Sequence, residues 1–142
     1  MDADAYAAGD PKLAAIRRVR GYSYEDMVTV SPDTMAGFEA KLKAFYEEHI
    51  HTDEEIRYVL AGSGFFDVRD LEDRWVRVAC RRGDMIVLPE GIYHRFTLDE
   101  ANYVQALRLF VGEPVWTPLN RPQEGHASRA KYVGEHAGAG AA

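Results

Sequence analysis

The chain has 142 residues, 46% apolar and 28% charged, which is the size and composition of one globular domain able to bury a core without staples. Its 17 Lys and Arg are outnumbered by 23 Asp and Glu, and the net charge of −6 argues against any general affinity for nucleic acid or an anionic membrane. Cys80 is the only cysteine, so no intrachain disulfide can form; no apolar run approaches a helical span, and the acidic start Met1-Asp2-Ala3-Asp4 lacks the parts of a signal peptide, so a cytoplasmic, reducing location is expected.

In chain order, Asp10-Pro11 suits a helix start, because Asp caps and Pro fits the first helical position. A short helix is predicted from Lys12 to Arg20, with Gly21 as its stop. Val28-Thr29-Val30 reads as a short strand. Ser31-Pro32-Asp33 is a second capping signal, after which Phe38, Leu42 and Phe45 recur at helical spacing up to Glu47. From His49 the pattern alternates, so that His49, His51, Arg57 and Val59 share one face of an extended segment bent at Thr52-Asp53-Glu54. Gly62-Ser63-Gly64 predicts a turn. Phe66 to Arg69 and Trp75 to Val78 flank Asp70-Leu71-Glu72-Asp73 as a hairpin, whose charged residues, Asp67 among them, read as solvated. Met85 to Leu88, a Pro89-Glu90-Gly91 turn, Ile92 to Leu98 and Val104 to Phe110 complete a run of short strands. Such a run predicts a mainly β fold, a barrel or sandwich, as one domain over residues 1–133, with a low-complexity tail at 134–142.

Two segments carry chemistry. In His49-Ile50-His51-Thr52-Asp53-Glu54-Glu55 the two histidines project to one side of a strand and Glu55 returns on the same parity. In Gly83-Asp84-Met85-Ile86-Val87-Leu88-Pro89-Glu90-Gly91-Ile92-Tyr93-His94 the turn delivers a third imidazole. Three imidazoles and one carboxylate suit an octahedral Fe(II), Ni(II), Mn(II) or Co(II) and leave two positions open, as a catalytic centre requires. The metal ligands read from this spacing are therefore His49, His51, Glu55 and His94. Asp53 and Glu54 read as turn residues, His126 and His136 as solvated, and Cys80 as packing.

These motifs resemble those of the cupin superfamily, with Leu98 standing where that superfamily often has Asn. A closer resemblance is to the acireductone dioxygenases of methionine salvage. It is carried by Phe45 to His51, Glu55 to Leu60, Gly62 to Asp70, Leu88 to Thr97, Arg108 to Thr117 and Asn120-Arg121-Pro122, and extends from Asp2 to about Val133. The resemblance implies a jelly-roll-like cupin β-barrel with a few short helices, mostly N-terminal. It implies one Fe(II) or Ni(II) per chain and, as substrates, O2 and the enediol 1,2-dihydroxy-5-(methylthio)pent-1-en-3-one. With Fe(II) the products are 4-methylthio-2-oxobutanoate and formate; with Ni(II) they are 3-methylthiopropanoate, formate and carbon monoxide. It further implies that Arg57 stabilises the substrate's negative charge and that Phe45 and Phe96 line the pocket.

The expected state is a monomer without nucleic-acid or membrane partners, in the cytoplasm and, as for some eukaryotic relatives, the nucleus. Members of the family carry a further segment before the stretch matching Met1 to Tyr6. Without it, metal binding is expected to survive and stability to suffer, since an uncovered strand edge is a liability. The competing readings are a non-catalytic, shortened cupin acting through protein partners and a different cupin enzyme such as a sugar-phosphate isomerase.

Overall fold

The structure, a computed structural model, describes residues 2–140. A short 3-10 helix (Ala3–Ala8) precedes α1 (Pro11–Arg20), β1 (Tyr24–Val30), α2 (Phe38–Tyr46), β2 (His49–Ile50), β3 (Glu55–Arg69), β4 (Trp75–Arg81), β5 (Met85–Leu88), β6 (His94–Leu98), β7 (Val104–Phe110), β8 (Leu119–Asn120) and α3 (Ala127–Gly140). The caps of α1 are those the sequence signals: the Asp10 carboxylate accepts from the Lys12 amide at 2.9 Å, and Gly21 closes the helix with φ +74°. Ser31 makes only a local turn, its hydroxyl accepting from the Asp33 amide at 3.2 Å, and α2 begins later, after Gly37.

The predicted turn at Gly62-Ser63-Gly64 is not a turn. β3 runs unbroken for 15 residues, and the glycines instead let it change sheets. Its first half pairs with β7 and β5, its second half with β4 and β6. A register shift between Val59 and Ala61 and a left-handed Gly62 (φ +73°) make the bend. A side chain at Gly62 would also collide with the Tyr103 carbonyl. Sheet A is thus β1-β7-β3-β5, sheet B carries β4, β3, β6, β2 and β8, and the pairings are antiparallel. β1 and β8 end the hydrogen-bonded path without pairing to each other, so among the described residues the cupin sheet is open rather than a closed barrel.

Alternation along β3 divides the apolar residues between two cores. Val59 and Phe66 face inward and meet Val30, Cys80, Leu88 and Val104 between the sheets. Ile56 and Tyr58 face outward and pack with Leu107 and Leu109 beneath Leu13 of α1 and Tyr22. Each such side chain contributes about 1.5–3 kcal/mol by leaving water.

Two expectations change here. Asp67 is not solvated: it is 2% exposed, and Arg77 and Arg95 donate to its carboxylate at 2.8–3.0 Å. The segment read as a tail falls in part on α3, whose Tyr132 is buried against the inner core; residues 141 and 142 lie outside the described residues. No helix among the described residues is long and apolar enough to cross a membrane.

Candidate metal centre

β2 is only two residues long, and His49 on it stands directly opposite His94 on β6. The backbone then bends, bringing His51 and, at the start of β3, Glu55 back toward the same point. Sheet B therefore supplies two imidazoles and β3, entering sheet A, the carboxylate. One ring nitrogen from each of His49, His51 and His94 lies within 4.8 Å of the others, a cluster that could hold a metal ion. The Glu55 Oε2 atom is 2.8 Å from His94 Nε2 and 3.5 Å from His51 Nε2.

The ring orientations are set from behind. His49 Nδ1 donates to the Glu47 carbonyl at 2.5 Å, and His94 Nδ1 to the Ile92 carbonyl at 2.9 Å. In the neutral ring each bond places the proton on Nδ1 and leaves Nε2 as the lone-pair atom. In His94 that lone pair faces a carboxylate oxygen at 2.8 Å. Two lone pairs at such a distance repel unless a proton or a metal ion lies between them. Among the described residues, His51 Nδ1 is buried without a hydrogen-bond partner of good geometry.

Electrostatics favour the ligating forms. Burial, reinforced by the neighbouring His94, lowers the His49 pKa to about 4, and burial lowers that of His51 as well. Burial alone would raise the Glu55 pKa, but the Arg57 guanidinium at 2.9 Å and the His94 ring outweigh it and hold the carboxyl well below its usual range. Neutral imidazoles around an ionised carboxylate are the donor set a divalent ion needs.

Behind Glu55 a cavity of about 90 Å³ opens between the sheets. It has room for several water molecules' worth of a small ligand. Arg57 lines it beside Glu55, and so do Phe45 and Phe96, whose rings meet edge to face at 6.2 Å. The residues singled out in the sequence are thus brought together. His126 and His136 stand apart: His126 accepts from the Ser128 amide at the start of α3, and His136 stacks on Tyr132. Cys80 is buried and lines the cavity, where burial raises its thiol pKa to about 11. It is inert packing, as its apolar strand suggests.

The model of the ARD/ARD' family matches residues 2–118 of the sequence. This chain belongs to the ARD/ARD' family. Among curated relatives it is 63% identical over 133 residues to acireductone dioxygenase 1 of Physcomitrium patens, covering 94% of this chain and 68% of that protein. It is 61% identical to the acireductone dioxygenase of Xenopus tropicalis, covering 74% of it, and 57% identical to that of Homo sapiens, again covering 74%. A solved acireductone dioxygenase from Bacillus anthracis, with a cadmium ion in its active centre, superposes with a TM-score of 0.73 at 31% identity, over 83% of this chain and 68% of that one. The family membership, that neighbour and the convergent donors here together imply a metal.

Sequence reasoning missed a second arginine on the cavity wall. Arg108 lies opposite Arg57 in the β3–β7 register, and Asp26 on β1 accepts from it twice, at 2.7 and 2.6 Å. Tyr24 donates to the same Asp26 at 2.6 Å, and the Arg108 guanidinium stacks 4.2 Å from the Trp116 ring. The available signal was a lone charge between Leu107 and Leu109 in a strand whose other residues, Gln105 apart, are apolar.

Proposed function

We propose that the chain is a metal-dependent acireductone dioxygenase, with His49, His51, Glu55 and His94 as the ligands of one Fe(II) or Ni(II). The observation that carries this reading is the His94 Nε2 to Glu55 Oε2 approach, two acceptors 2.8 Å apart that a shared cation would reconcile. A bound ion of this kind would supply Lewis acidity and a template for the ionised enediolate.

The chain's own residues do the rest. Arg57, buried beside the carboxylate, presents a guanidinium that an ionised enediolate entering the cavity can pair with. Its bond to Glu55 also fixes that carboxylate's orientation. Phe45 and Phe96, with Val28, Val30 and Val104, form an apolar wall suited to a methylthio tail and exclude water from the reacting carbons. The atoms balance: substrate C6H10O3S and O2 give the five-carbon keto acid C5H8O3S and formate CH2O2. Which carbons O2 joins decides between this outcome and the one that releases carbon monoxide.

The test is aerobic loss of the acireductone's ultraviolet absorbance with the chain stripped of metal and reloaded with Fe(II), then Ni(II), and the products identified. Rapid loss giving the keto acid with Fe(II) and 3-methylthiopropanoate with Ni(II) is the expected result. Folded, metal-loaded chain that consumes no substrate would move the reading to a cupin acting through partners.

A further inference from the structure

Of the two strands that bear imidazoles, β6 is paired along its length with β3, but β2 is poorly held from within the sheet. β2 is two residues long and pairs with β6 at a single position. A site of four converging donors needs each held to within roughly 0.5 Å. What braces β2 from the other side is the segment around β8, far along the chain. β8 pairs with β2 at His49 and Ile50, and the Arg121 amide donates to the Glu48 carbonyl at 3.0 Å.

The Arg121 side chain then reaches both ligand strands at once. Its Nη1 donates to the Glu48 carboxylate at 2.7 Å, one residue before His49. Its guanidinium lies 4.3 Å from the centre of the Tyr93 ring, one residue before His94. The same fork grips Asp73 at 2.8 and 3.1 Å, anchoring it to the β3–β4 hairpin. Its partners are themselves fixed. Arg69 holds Glu48 from the other side at 2.9 Å, and Tyr93 is fully buried, donating to Glu124 and accepting from the Gln123 amide. Held from both carboxylates, Arg121 stays protonated, its pKa raised first by the Asp73 hydrogen bonds and then by Glu48.

We infer that Arg121 is a positioning residue for the metal centre: one guanidinium that sets the spacing of His49 and His94 by gripping the residue before each. This rests on the reading of His49, His51, Glu55 and His94 as ligands. Arg121 touches neither substrate nor metal donors, so its effect falls on how long the ion is held. Lysine could replace its charge but not its planar fork, which serves two carboxylates and a ring together.

The experiment measures release of Ni(II) from the loaded full chain into an excess of a pyridylazo indicator, whose colour develops as each ion leaves the protein. Arg121→Gln is expected to speed release up to about 10-fold, the lower end of the range for groups bonded directly to metal ligands because Arg121 acts one residue away, with Arg121→Lys in between. Glu48→Gln removes one side of the same grip and carries the test should Arg121→Gln fail to fold. Glu25→Gln is the control, since it breaks the Arg17 pair (3.0 Å) between α1 and β1, away from β2 and β6. It should lower the melting midpoint and leave release unchanged. Release from Arg121→Gln within twofold of the unaltered chain overturns the inference, as does equal acceleration in Glu25→Gln, which would mean general loosening. Failure of the unaltered chain to bind Ni(II) overturns the metal centre as well, and so separates the two claims.

Discussion

β3 carries two enclosed carboxylates, Asp67 fully buried and Glu55 partly so, one in each of its halves, and their surroundings differ. Asp67, in the second half, is enclosed by arginines: Arg77 donates two hydrogen bonds and Arg95 a third, at 2.8–3.0 Å. Both partners are permanently charged, so its lone pairs are satisfied by the protein itself and the arrangement is closed. Glu55, in the first half, has one arginine at 2.9 Å and two imidazoles at 2.8 and 3.5 Å. Its need for positive charge is met only in part, and the remainder faces a cavity. The same side-chain chemistry on the same strand thus makes a structural tie in one half and, on the reading proposed above, an ion ligand in the other. The difference lies in whether the partners are guanidinium or imidazole.

The comparison can be broken or sharpened by removing partners. The largest effect belongs to Arg57. Arg57→Gln should retain metal yet lower kcat/KM by about 10²–10³, the usual loss of one preorganised charge donor. Steady-state kinetics on chain of measured metal content checks this, and a loss of metal instead would make Arg57 structural like Arg77. Next is Asp67→Asn, which should leave metal binding and activity near normal and cost about 2 kcal/mol of stability by denaturant titration, for lost charged hydrogen bonds.

The pH dependence follows the same residue. Its Arg77 hydrogen bond, with Arg95 behind it, lowers the folded-state pKa of Asp67 below the ordinary 3.8. The stability it contributes is therefore fully present above about pH 4 and is lost as pH falls through the lowered value. Melting midpoints of the unaltered chain should fall more steeply below pH 4 than those of Asp67→Asn. The smallest effect is at the hairpin tip. Arg74→Ala removes exposed pairs to Asp70 and Glu72 and should change stability by no more than about 0.5 kcal/mol.

Much of this was legible in the sequence. The convergence of His49, His51, Glu55 and His94 could be read because imidazole and carboxylate at strand spacing have few structural uses, and the hairpin at Asp70 to Asp73 because its turn and flanking strands are local. Gly62 and Gly64 misled, since glycine serves a turn and a strand that bends between sheets equally well. Asp67 misled because its two arginines come from β4 and β6, ten and 28 residues away. β8 was missed because two residues carry no period, and its value lies wholly in what it pairs with. The closed barrel expected from the resemblance is open among the described residues, a matter of which strand edges meet, which no local pattern encodes.

The most direct test is the number of divalent ions bound per chain, by anaerobic titration with Fe(II) and with Ni(II), in the unaltered chain, Glu55→Ala and Asp67→Asn side by side. The account predicts one ion for the unaltered chain, one for Asp67→Asn, and none retained by Glu55→Ala. Retention of a full ion by folded Glu55→Ala, or its loss from folded Asp67→Asn, would contradict it.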